Sequence, residues 1–164
     1  MIFNKTTLVF LFISITMVIN VQEIHIARGG TLMDWAYLKK YQESNEELKK
    51  ISDPNRTVYM GNSITEQCSH FNKDFFINTF INRGIGAQTT PQMLIKFTSD
   101  VVNLKPKSVV ILGEINDIAG NTGAITIENI ISMAEIAIAN NISVYICSTL
   151  PAIDFLWSPG LEPA

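Results

Sequence analysis

At 164 residues the chain has room for one domain. Apolar residues make up 47% and charged residues 16%, so there is enough apolar matter to bury a core. A net charge of −3, with no lysine-rich run, excludes the basic footprint of a nucleic-acid binder, and no nucleic-acid partner is expected.

Lys5 precedes an apolar stretch from Leu8 to Ile19, broken only by Ser14 and Thr16. A basic start before a run too short to span a bilayer comfortably predicts a signal peptide over residues 1–20. An exported protein, periplasmic or secreted, is therefore expected, with no stable membrane span once the signal is removed. The alternative is an uncleaved anchor. Residues 21–33 read as an N-terminal extension broken by Gly29-Gly30, and residues 34–164 as the domain proper.

Asp34 is placed to cap a helix running to about Lys50, with Trp35, Leu38, Tyr41 and Leu48 as its sparse apolar face. Ser52-Asp53-Pro54-Asn55 is a turn, and Thr57-Val58-Tyr59-Met60 the first strand. A helix follows from Ile64 or Thr65. Phe75–Ile81 is ambiguous, with a strand expected at its end. Thr89-Thr90-Pro91 opens the next helix, threonine as cap and proline in the first turn. Leu94, Phe97, Val101 and Leu104 form its buried stripe, and Pro106 closes it. Ser108–Leu112 is continuously apolar, as in a central strand covered on both faces. Thr126–Asn140 is predicted helical with Ile127, Ile130, Ile131, Ala134 and Ile138 inward, and Ile142–Cys147 is another apolar strand. Leu150-Pro151 begins a loop in which Phe155 and Trp157 either line an acyl pocket or cover the core.

Strands alternating with amphipathic helices imply βαβ units and a parallel sheet. In such a sheet, ligands sit beyond the carboxyl ends of the strands. Three polar segments fall at strand exits: Gly61-Asn62-Ser63-Ile64-Thr65-Glu66, Asn82–Thr90 and Leu112–Asp117. Acyl transfer needs a nucleophile, a base and donors for an oxyanion. Ser63 suits the first role. Its own N–H, the turn Gly84-Ile85-Gly86-Ala87 and the Asn116 amide suit the last. Asp117 reads as structural, holding a neighbouring loop, and Glu66 as an acid favourable at a helix start. Arg83 reads as a surface ion-pairing residue or a ligand for a substrate carboxylate. Cys147, at the end of an apolar run, reads as a buried small hydrophobe, and a disulfide with Cys68 is not expected. Two cysteines and two histidines far apart make no metal pattern.

These blocks resemble the SGNH hydrolases, also called the GDSL esterase/lipase family, whose members carry "GDSIT", "INRGISGQTTPQM" and "GTNDIAGNTG" stretches. Here they read Met60–Glu66, Ile81–Met93 and Gly113–Gly123 in the same order, and the resemblance runs from about Asp34 to Ala164. It implies a flavodoxin-like three-layer α/β/α sandwich with a parallel sheet, incomplete at its C-terminus. It implies ester hydrolysis through an acyl-enzyme, carbohydrate deacetylation included, with a small ester or acylated carbohydrate as partner and no metal or organic cofactor. Ser63 matches the nucleophile and Asn116 the oxyanion-hole asparagine. Gly86 and Ala87 match the oxyanion-hole backbone.

Besides a helix after Thr126 about one turn shorter than in similar sequences, the sequence departs from the pattern in four places. Asn62 stands where aspartate is usual. Ala87 stands for a glycine, and alanine tolerates positive φ poorly. Glu114 also stands for a glycine. Finally, the chain ends at Ala164 without the Asp-x-x-His block that carries the family's base. His25 lies in the extension, and His70, seven positions after Ser63, reads as solvent-facing. Activity is therefore expected to be crippled, because a serine without its base loses on the order of a millionfold in rate. The alternatives are an inactive SGNH-like binding or scaffold domain, or a gene fragment. An apolar last strand left poorly covered would favour self-association.

Overall fold

A computed structural model describes residues 34–77, 79–119 and 125–148. The chain divides into two units, Met1–Trp35 and Ala36–Ala164. Of the first, Asp34 and Trp35 are described and lie in a turn. The expected signal peptide and extension, His25, and the loop bearing Phe155 and Trp157 lie outside the described residues.

The second unit alternates strands and helices: α1 (Gln42–Lys49), β1 (Thr57–Gly61), α2 (Ser63–Phe71), β2 (Phe80–Gly84), α3 (Thr90–Asp100), β3 (Ser108–Leu112), α4 (Ile115–Ala119), α5 (Thr126–Ala139) and β4 (Ser143–Ile146). A short 3-10 turn, Val102–Leu104, follows α3. All four strands are parallel, in the order β2-β1-β3-β4. The expected α/β fold with a parallel sheet is therefore present.

Strand alternation sorts the layers. Val58, Met60, Val109 and Ile111 point to one face, where they are fully buried with Met93, Phe97 and Val101 from α3 and its end, and with Ile130, Met133 and Ala137 from α5. Tyr59, Val110 and Leu112 point to the other, beside Thr65, Cys68 and Phe71 of α2. That second face is only half-buried, so β3 is not sealed on both sides as its apolar run suggested. The α3 start is well specified: Pro91 sits in its first turn, and the Gln92 side chain accepts the Thr89 backbone N–H at 2.9 Å.

Three sequence expectations are corrected. The first helix begins at Gln42 rather than Asp34, because Tyr37 takes a left-handed φ of 57° that no α-helix accommodates. Trp35 and Leu38 are exposed, and the helix instead buries Asn45, whose amide reaches Ser99 O (3.2 Å) and Asp100 Oδ1 (2.6 Å). The last helix is turned about its axis: Thr126, Asn129, Ile130, Met133 and Ala137 face inward, while Ile127, Ile131 and Ile138 are exposed. A hydrogen bond from Asn129 Nδ2 to Thr90 Oγ1 (3.0 Å) fixes that phase. Cys147 is exposed, not buried, and both cysteines are free thiols.

Candidate active site

The sheet register levels three strand exits. Gly61 pairs with Gly84 on one side and with Leu112 on the other. After β1 the chain crosses to β2; after β2 it returns past β1 to β3. The switch point of the sheet thus falls between the carboxyl ends of β1 and β3, where open α/β sheets form their ligand crevice. Ser63 is two residues beyond Gly61. Gly86 and Ala87 are two and three beyond Gly84, and Asn116 is four beyond Leu112.

Ser63 is the first residue of α2 and is half-buried. Asn62 caps the helix from a fully buried position, its Oδ1 accepting the Ile64 N–H at 3.0 Å. The cap needs only an acceptor oxygen, so asparagine replaces aspartate here without loss of the helix start. The Ser63 N–H is one of the first-turn donors that an α-helix leaves without an intrahelical acceptor. Among the described residues the Ser63 hydroxyl makes no hydrogen bond.

Helix α2 lies so close to β2 that a Cβ on Gly84 would stand 2.3 Å from the Glu66 nitrogen. Asn82 Nδ2 binds Thr65 O and Ser69 Oγ, each at 2.6 Å, and its Oδ1 accepts the Gly84 N–H at 2.8 Å. The 85–88 turn continues from this contact. Ile85 N–H reaches Gly61 O (3.0 Å), Gln88 N–H reaches Ile85 O (3.2 Å), and Gly86 N–H reaches Glu66 Oε2 (2.7 Å). The Gly86 donor, expected to face an oxyanion, is therefore spent on Glu66. Ala87 is exposed and takes φ 57°, and its N–H has no acceptor among the described residues.

From the third exit, Asn116 Nδ2 donates to Gln88 O at 2.9 Å, leaving its second N–H for another acceptor. The neighbouring Asp117 is 1% exposed and accepts from the Thr90 backbone N–H (3.0 and 3.1 Å) and hydroxyl (2.7 Å). Its structural reading holds, and it fixes α4 to the start of α3. Glu114 occupies φ 101°, a backbone conformation suited to glycine.

Three further residues complete the surroundings. His70 is exposed and lies two turns along α2, about 10 Å from Ser63 along the helix axis. It does not reach the serine. Arg83 is 3% exposed, so it is neither a surface ion-pairing residue nor free to meet a substrate. Its guanidinium binds Asn45 Oδ1 (2.9 Å), Asn82 O (2.7 Å) and Ser44 Oγ (3.2 Å), and stacks 4.6 Å from the Tyr41 ring. Burial lowers its pKa to about 10, opposed by Asp100, so it stays cationic at neutral pH. Glu66, whose contacts sequence reasoning did not foresee, ion-pairs with Lys40 through Oε1. The only early signal was its position one helical turn after Ser63.

Below α2 an apolar pocket of about 390 Å³ runs along the half-covered sheet face between Tyr59, Phe71, Phe75, Val110 and Leu112, reaching Cys147 beyond β4. Tyr59 packs edge-on against Phe76, with ring centroids 5.4 Å apart.

Two solved structures share this arrangement of strands at high identity. A candidate acylhydrolase from Bacteroides fragilis is 47% identical, with a TM-score of 0.72 over 79% of this chain. A GDSL-like lipase from Bacteroides thetaiotaomicron is 43% identical, with a TM-score of 0.70 over 77% of it. The solved structures it resembles at this identity are thus GDSL-like (SGNH) acylhydrolase and lipase proteins. It spans 65% of the length of each Bacteroides protein. A more distant GDSL protein, a candidate lipolytic protein from Desulfitobacterium hafniense, is 22% identical and shares the fold (TM-score 0.51, covering 59% of this chain and 61% of its own). No family profile and no curated protein matches the chain.

Proposed function

We propose that this GDSL-type chain is a serine ester hydrolase acting through an acyl-enzyme on Ser63. The observation that supports it most is the level rim: Ser63 and Asn116 follow strands paired at Gly61 and Leu112, on the two sides of the sheet's switch point. In this reading the Ser63 hydroxyl attacks the ester carbonyl carbon and gives up its proton to a base. The alcohol departs, and water then releases the acid. The oxyanion meets the Ser63 N–H, the Ala87 N–H and the second N–H of Asn116. One such donor is worth about 3 kcal/mol in the transition state. Among the described residues no histidine reaches Ser63, so turnover by these residues alone is slow. The substrates are small esters, acetyl groups on carbohydrate among them.

A second reading, a binding domain on the same fold, is favoured by Ala87 and Glu114, which put side chains where the backbone suits glycine. A fluorophosphonate probe and a short-chain nitrophenyl ester separate the two. Labelling and hydrolysis that both vanish in Ser63→Ala support the hydrolase. Labelling that survives this change refutes the nucleophile. A wild-type chain that binds acetylated sugar but neither labels nor hydrolyses favours the binding domain.

Export rests on the Lys5 and Leu8–Ile19 pattern. Among the described residues no helix is long and apolar enough to cross a membrane. Self-association through the sheet edge is supported by Tyr145 and Ile146, 61% and 53% exposed on β4. Light scattering reads both states: a dimer that dissociates in Tyr145→Lys supports it, and a monomer at high concentration opposes it.

A further inference from the structure

We propose that Glu66 is a positioning residue for this site: it clamps the Gly86–Ala87 turn to the nucleophile's own helix, so that Ala87 is the residue presenting its N–H. This rests on the ester-hydrolase reading. Glu66 sits one turn after Ser63 on α2, and its two oxygens serve two elements. Oε2 accepts the Gly86 N–H at 2.7 Å, and Oε1 pairs with Lys40, just ahead of α1. At the far side of the turn, Asn116 Nδ2 holds Gln88 O at 2.9 Å. Ala87 is thus pinned on both flanks, one flank tied to the helix of Ser63 and the other to the candidate oxyanion amide.

The clamp explains a conformation that alanine alone would avoid. A non-glycine residue at φ 57° is strained and persists where its surroundings over-determine it. Freed from Glu66, the turn has no described contact holding Gly86, and Ala87 relaxes toward negative φ. Its N–H then swings away from the rim. The fit is close: a Cβ on Gly86 would stand 3.0 Å from Glu66 Oε2.

The charged and titratable groups around Glu66 are Lys40 before α1, Tyr41 beside it, whose hydroxyl donates to Gly84 O at 2.5 Å, and His70 on α2 itself. The Lys40 hydrogen bond holds the Glu66 carboxyl below its usual range; partial burial opposes this, and the Gly86 N–H assists. The clamp is therefore present above the ordinary carboxylate pKa, and it is lost as pH falls through the lowered value.

The test compares Glu66→Ala and Glu66→Gln by fluorophosphonate labelling, with the maximal labelling rate separated from probe affinity. Glutamine keeps an oxygen for the Gly86 N–H, and alanine does not. The expected result is a roughly 10- to 100-fold lower maximal rate in Glu66→Ala, with affinity unchanged and most of the rate restored in Glu66→Gln. A Glu66→Ala protein that labels at the wild-type rate, or a Glu66→Gln protein as slow as it, overturns the proposal. A second readout needs no chemistry: in the NMR spectrum of the intact protein, the Gly86 amide shift should titrate with acid in the wild type and stay flat in Glu66→Gln. A flat wild-type titration also overturns the clamp. Labelling that persists in Ser63→Ala sinks the hydrolase reading instead, and the Gly86 titration still decides the clamp.

Discussion

Replacing Ala87 with glycine should make the protein more stable, although it adds no contact and removes a methyl group. Ala87 holds φ 57°, where an L-residue pays about 1–2 kcal/mol that glycine does not. Against this, glycine loses more backbone freedom on folding, by about 0.5–1 kcal/mol. Ala87 is exposed, so little burial is forfeited. The net gain is about 0.5–1 kcal/mol, or roughly 1–4 °C in melting temperature for a chain of this size. Glu114 at φ 101° should show a larger version, on the order of 1–2 kcal/mol, because it lies beyond the left-handed well that alanine occupies. Its side chain complicates the comparison, so Glu114→Ala is the control: it removes the side chain and keeps the backbone. The strain is the difference between Glu114→Gly and Glu114→Ala. Urea titration is the assay, with a raised midpoint at unchanged slope as the expected signature. An Ala87→Gly protein that melts at or below the wild-type midpoint refutes the reasoning. So does a Glu114→Gly protein no more stable than Glu114→Ala.

Other outcomes follow from the same contacts. Asp117→Ala orphans the buried Thr90 N–H and hydroxyl and should lower stability by about 2–3 kcal/mol by denaturant titration; a loss near zero would contradict its role as the α3–α4 tie. Gly84→Ala drives a methyl into the α2 backbone at 2.3 Å, so it should yield insoluble or non-cooperatively melting protein, whereas a wild-type melt would show that α2 does not lie on β2 as described. Among the described residues, Asp100 is the carboxylate facing Lys96 and Arg83 in a buried cluster, with Lys96 Nζ 2.7 Å from its Oδ2. Asp100→Asn should cost about 3–5 kcal/mol, measured by the same titration, and a neutral result would mean that the two cations need no counter-charge.

The fold was legible because its signals were local. β1 and β3 are apolar runs bounded by polar turns, and the Thr89-Thr90-Pro91 start of α3 is a cap with its proline in place. The rim was legible because strand exits are where a parallel sheet binds ligands, and the register at Gly61 aligns all three. The misreadings have a common origin in contacts distant along the chain. α5 carries two apolar stripes, and which one faces the sheet is decided by contacts distant along the chain: the packing of Ile130, Met133 and Ala137 in the core and the Asn129–Thr90 bond, 39 positions apart. Arg83 looked like a surface residue because its partners Asn45 and Ser44 lie 38 and 39 positions earlier. The engagement of Gly86 by Glu66, 20 positions away, was hidden for the same reason.

The most direct test of the account is a crystal structure of the protein after reaction with a fluorophosphonate. The expected adduct has phosphorus bonded to Ser63 Oγ, with the phosphoryl oxygen about 3 Å from both Asn116 Nδ2 and the Ala87 nitrogen. An adduct on another residue, or a phosphoryl oxygen turned away from Asn116, would contradict it.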